Sequence, residues 1–153
     1  MSVCVFIAMA VLAKSELAAN AQEKTADTIK QRIDTMTAMG KDLNTILKMI
    51  KGEIRFDVTA IVETADHLFN KSLLAAKQFP DPVDTEHATA SRALPGIWNK
   101  KGEFDRLFGD LLDQSEMLAQ IAARDDINII RVQFAETIEI CSACHEKFRR
   151  PKQ

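Results

Sequence analysis

The sequence has no tyrosine, one tryptophan and few aromatic residues, 6% in all. Glycine and proline are also scarce, at 5 and 4 of 153 residues. A chain poor in β-formers and in helix breakers, and rich in Ala, Leu, Ile, Lys and Glu, favours helices. There is no excess of basic charge. Lys and Arg total 20 against 22 Asp and Glu, a formal net charge of -2. That balance excludes nucleic acid and an anionic membrane surface as expected partners. Cysteine is too sparse for a disulfide scaffold, with 3 residues, Cys4, Cys141 and Cys144. The length suits one domain with a single core.

The one long uncharged apolar run, Val3 to Ala13, falls short of the ~20 residues a membrane-spanning helix needs. Ala19-Asn20-Ala21 follows it with an A-x-A cleavage pattern. The expected organisation is a secretory signal peptide over residues 1–21 and a mature domain over 22–153, with no stable membrane insertion of the mature chain. No Lys or Arg precedes the apolar run, and Lys14 and Glu16 stand in the cleavage region. An uncleaved helix or a misplaced start is therefore the competing reading. Cleavage removes Cys4 and leaves two cysteines, both close to the C-terminus.

Those two lie in Cys141-Ser142-Ala143-Cys144-His145, a C-x-x-C-H motif. This spacing signals covalent haem attachment. Each thiol can add to a haem vinyl group as a thioether, and the adjacent His145 is then an axial ligand of the iron. Such attachment takes place outside the cytoplasm in bacteria, which agrees with an export signal. Three other readings compete. A thiol–disulfide exchange pair wants a βαβ context, which the surrounding helical pattern does not supply. A zinc site needs four ligands, and only Cys4, His67 and His87 remain as further N/S candidates. The plainest alternative is two core cysteines beside a surface histidine.

Four helical stretches follow the leader. The first, 23–51, has the stripe Ile29, Arg32, Met36, Met39, Leu43, Ile46 and Ile50, and Gly52 can end it. Asp57 can cap the second, 58–78, whose stripe is Ile61, Ala65, Leu68, Phe69, Leu73 and Ala76. A connection over 79–102 contains Pro80, Pro82 and Pro95. Loops of that length in small domains usually serve a function. The third helix, 103–124, carries Phe104, Leu107, Phe108, Leu111, Leu112, Met117, Leu118 and Ile121. The fourth, 126–150, carries Ile127, Ile130, Phe134, Ile138, Cys141, Cys144 and Phe148. The expected fold is all-α, an antiparallel four-helix bundle with one covalently bound haem. Because the cysteines share the apolar stripe, the haem packs against the bundle core, and His145 lies on the flank of the stripe.

Arg32 interrupts the core stripe of the first helix. A buried guanidinium needs a partner. A haem propionate is one, since arginine suits bidentate carboxylate recognition. A carboxylate on another helix, or water at the end of the bundle, is the alternative. Met36, one turn further on, can face the iron from the side opposite His145, because methionine sulfur is a known sixth ligand. Met on a helical stripe is more often core filling. Met39 and Met117 are remoter candidates, and His67 and His87 are expected on the surface.

These residues resemble the cytochrome c′ family and its low-spin relatives of the cytochrome c-556 type. The likeness rests on Arg32 and Met36, Lys51-Gly52-Glu53 followed by Phe56-Asp57, Pro95-Gly96-Ile97-Trp98, and the ending Cys141 to Arg149. It covers nearly the whole mature chain. The resemblance implies a periplasmic protein with one haem c, often a homodimer. It implies His145 as proximal ligand, Arg149 as a basic group near the haem edge, and Thr85 and Glu86 as equivalents of a Thr-Glu pair near the haem. It also implies two possible distal faces: an open one that binds NO or CO, or one closed by a Met from the first helix in an electron carrier. The expected function is non-enzymatic electron transfer with redox proteins of the periplasm, and gas binding by five-coordinate iron is the alternative. Peroxidase-type catalysis finds no distal histidine on the first-helix stripe.

Overall fold

The computed structural model describes residues 3–79, 91–124 and 126–151. Among the described residues there are five helices: α1 Val3–Ile50, α2 Val58–Ala76, the short α3 Gly96–Asn99, α4 Lys101–Ala122 and α5 Ile127–Phe148. The four long ones form the expected bundle. α1 packs on α2, α2 on α4 and α4 on α5. α1 begins well before residue 23 and runs unbroken through the expected leader junction.

The helix ends follow local chemistry. Asp57 accepts a hydrogen bond from the Ala60 amide at 3.1 Å, and Asp126 accepts one from the Asn128 amide at 2.9 Å. Each satisfies an amide that its helix leaves unpaired. Gly52 stops α1 with a φ of 73°. Its amide bonds the Met49 carbonyl, and the Glu53 amide bonds the Lys48 carbonyl. This paired pattern consumes the last carbonyls of α1 and requires the left-handed backbone that glycine adopts without strain.

Two of the expected stripes are corrected. On α2 the buried face is Ile61, Ala65, Leu68, Ser72 and Ala75, whereas Leu73 is exposed. On α4, Ser115 and Leu118 are buried, and Met117 points outward at 46% exposure, which removes it as a candidate iron ligand. Small side chains lie where α2 and α4 approach, and the Ser72 and Ser115 hydroxyls donate to the Leu68 and Leu111 carbonyls of their own helices. The polar group is thus satisfied without a partner across the interface, and the helices can pack closely.

The core has two parts. One joins Ile46 and Met49 of α1 with Ile61, Ala65, Leu118, Ala122, Ile130 and Phe134. The other joins Met39, Leu68 and Ala75 with Phe79, Phe104, Phe108 and Phe148. Phe104 is its centre, with ring centroids 4.8, 5.0 and 5.4 Å from those of Phe79, Phe108 and Phe148 in edge-on arrangements. Such pairs add about 0.5–1.5 kcal/mol each beyond burial. Beside this aromatic part, α1 and α5 face each other across a cavity.

Candidate functional site

The cavity has a volume of about 490 Å³, within the ~300–1,000 Å³ usual for cofactor clefts. α1 contributes Arg32 and Met36 to its wall, and α5 contributes Cys144, His145, Phe148 and Arg149. Between them lie Phe79, Ile97, Phe104 and a strap of chain over residues 91–93. The bundle therefore gathers on one cavity most of the residues singled out in sequence. Cys141, one turn before Cys144, is half-buried and packs on the aromatic core. Thr85, Glu86 and His87 lie outside the described residues. His67 is exposed on α2, as expected, and Met39 is buried in the core beside Met36.

The thiols are free and half-buried. Burial pushes both upward, and Cys144, with Cys141 beside it, is pushed up to about 11. Thiol–disulfide exchange needs an accessible thiolate near neutral pH. These cysteines are held in the opposite state, which weighs against the redox-pair reading. Of the further zinc ligands, Cys4 and His87 have no described side chain and His67 is exposed on α2, and among the described residues no group of three or more His, Cys, Asp and Glu side chains could hold a metal ion.

His145 is held below the ordinary histidine value, first by burial and then by the charges of Arg149 and Arg92. Its imidazole is accordingly neutral at pH 7, the form that ligates metals. Arg149 Nη1 lies 3.4 Å from His145 Nδ1.

Arg32 is buried, with 7% of its surface exposed. Its Nε and Nη2 both donate to the Gln78 carbonyl, at 3.0 and 2.8 Å. Its guanidinium also sits 4.1 Å from the centroid of the Phe79 ring, a cation–π contact. Gln78 in turn donates from Nε2 to Thr35 Oγ1, at 3.0 Å. The sequence anticipated a carboxylate partner for Arg32. The Gln78 carbonyl, just past α2, and the Phe79 ring hold the cation at the wall of the cavity. Burial lowers its proton affinity, yet an arginine stays charged.

Arg92 was missed in sequence. It lies in the long connection, where nothing periodic marks it. A tertiary feature places it: a single antiparallel bridge pairs Ala93 with Arg149. Leu94 donates to the Phe148 carbonyl at 2.9 Å, and the Arg150 amide donates to the Arg92 carbonyl at 2.7 Å. The Pro95-Gly96-Ile97-Trp98 segment continues as α3, which packs on α4 and α5 and brings Ile97 to the cavity.

This site fits a haem. Its inner wall is apolar and aromatic, two thiols and a neutral imidazole stand on one helix, and cationic groups that suit carboxylates line it. The comparisons agree. The family described as Cytochrome C′ matches residues 27–149. Cytochrome c′ of Rhodopseudomonas palustris is 31% identical over 126 residues, 82% of this chain and 84% of that protein. Cytochrome c-554 of Cereibacter sphaeroides is 28% identical over 80% of this chain and 92% of its own length. Among solved structures, cytochrome c′ of Shewanella frigidimarina superposes with a TM-score of 0.73 at 28% identity, covering 83% of this chain and 97% of that one. A nitric oxide complex of a cytochrome c′ variant from Alcaligenes xylosoxidans gives 0.75 at 23% identity, covering 84% and 97%. With the C-x-x-C-H helix, the cavity beside it and a family match over most of its length, the chain belongs to the cytochrome c′ family, whose members carry one covalently bound haem c.

Proposed function

We propose that the protein is an exported, periplasmic one-electron carrier rather than an enzyme, with residues 1–21 as its cleaved leader. Cys141 and Cys144 anchor the haem, His145 is the proximal ligand and Met36 the distal one. The bound group supplies an iron that takes up and returns a single electron. The protein residues do the rest. The apolar, aromatic wall of the cavity and the axial ligands together set the potential. Arg32, held by the Gln78 carbonyl, presents its charge to the propionate side. Thr85 and Glu86 are assigned to the haem surroundings by resemblance alone. Redox proteins of the periplasm are the expected partners. No helix among the described residues is long and apolar enough to cross a membrane.

The observation that carries this reading is that Met36 and His145 line the same cavity from two different helices. An optical spectrum of the purified holoprotein tests it. Low-spin ferric and ferrous forms with a methionine–iron charge-transfer band are expected, and Met36→Ala should abolish that band. A high-spin ferrous form that takes up CO, with a spectrum unchanged in Met36→Ala, would replace it with the second reading. That reading is reversible binding of NO or CO at an open distal face. It is favoured by the nitric oxide complex among the structural relatives, and homodimerisation is expected under either.

A further inference from the structure

The mouth of the cavity carries positive charge that no described carboxylate neutralises. Arg92 is half-buried there. Its Nε donates to the Arg150 carbonyl at 2.8 Å. The backbone bonds of the strap fix it against the end of α5. This leaves both terminal nitrogens of its guanidinium without a hydrogen bond among the described residues. Arg149, paired with Ala93 in the bridge, leans on His145. Both arginines line the cavity with His145.

The ion pairs of this end bypass them. Glu103 pairs with Lys147 and Asp105 with Lys101, while Glu146 is exposed and pairs with neither arginine. Arg32 differs, because its Nε and Nη2 both donate to the Gln78 carbonyl. Arg92 is half-buried and Arg149 exposed, and they lie near enough for the charge of one to act on the other, so together they make a positive field for an anion. Their planar forks match the spacing of carboxylate oxygens.

We infer that Arg92 and Arg149 form an anion site at the mouth of the cavity, beside His145, that binds a carboxylate. The carboxylate comes from one of two sources, a propionate of the bound haem or a small free carboxylate from solvent. In either case Arg92 is a determinant of the haem environment that no sequence motif marks. It acts from the described end of the long connection, where Ser91, Arg92 and Ala93 form a wall of the cavity.

The test uses ferric holoprotein titrated with sodium formate at constant ionic strength, reading the Soret band and the midpoint potential. Arg92→Leu and Arg92→Lys are compared with the parent, and far-UV circular dichroism checks the fold. If the site takes free carboxylate, formate shifts the parent's potential saturably. Arg92→Leu then weakens that response about tenfold or more, as loss of a charge-assisted hydrogen bond implies, and Arg92→Lys restores part of it. If the propionate occupies the site, the parent ignores formate. Arg92→Leu then lowers the potential and moves its pH-dependent step upward, and Arg92→Lys partly reverses both. Should Arg92→Leu fail to fold, Arg92→Gln, which keeps an N–H donor for the Arg150 carbonyl, is read in the same way. A natively folded variant with unchanged potential at every pH, together with no formate response in the parent, would overturn the inference. The dependence on Arg92, compared between parent and variant, separates this site from direct binding of formate to an open iron, which Arg92→Leu would leave in place.

Discussion

At one end of the bundle Ile46, Ile61, Ala65, Leu118, Ala122 and Ile130 are completely buried. At the other end three phenylalanines, a methionine and a cysteine line a cavity whose wall carries three arginines. The same four helices build both. The first end is filled by aliphatic side chains and closes on itself. The second cannot close, because its stripe holds Arg32 and the cysteines, and its rings stack around a gap. A fully buried Leu or Ile contributes about 1.5–3 kcal/mol, so the closed end can hold the bundle together while the open end remains a container. Stability and function are thereby separated along the length of the same helices.

Breaking the open end at its anchors has the largest expected effect. With Cys141→Ala and Cys144→Ala together, mass spectrometry of the denatured protein should show the bare chain, where the parent retains one haem. A haem that stays on the double variant after denaturation would remove the attachment reading. Leu118→Ala tests the closed end instead. Leu118 is completely buried, so its truncation should cost about 2–5 kcal/mol in chemical denaturation. The haem spectrum should stay as it was, and a changed spectrum would show that the two ends are coupled. A smaller loss, about 0.5–2 kcal/mol, is expected for Asp126→Ala, which removes the cap of α5. It acts at the closed end of the helix that carries the haem motif, so it too should leave the spectrum unchanged.

The closed end was the more legible in sequence. Its apolar spacing, the Asp57 cap and the stop at Gly52 are local signals, and each appears where the residues placed it. The misreadings have a common cause. Hydrophobicity favours Leu73 and Met117 as core, but the geometry of close helix packing takes Ser72, Ala75 and Ser115. At the open end the C-x-x-C-H motif named the cofactor chemistry, and the stripe put Arg32 and Met36 on the facing helix. The partner of Arg32 was not legible, since a backbone carbonyl 46 residues away leaves no mark on composition or period. Arg92 was invisible for the same reason, as a two-residue bridge to the end of α5 places it and no helical repeat does.

The smallest effect expected is also the one that separates the open end from simple haem loss. Glu103 and Lys147 tie the start of α4 to the last turn of α5. The Lys147 ammonium, through its hydrogen bond, holds the Glu103 carboxyl below the usual carboxylate range, against a weaker opposing effect of burial. A carboxyl whose proton affinity is lower in the folded state stabilises the fold above its unfolded pKa of about 4.3. That contribution is lost as pH falls through the folded value. Glu103→Gln should therefore lower the melting temperature slightly at neutral pH, because the pair is solvent-exposed and screened. The gap between variant and parent should close under acid conditions. Melts of the holoprotein followed by circular dichroism at a series of pH values measure it. A gap of the same size in acid and at neutrality would mean that packing of the Glu103 side chain, and not the ion pair, holds α4 to the haem helix.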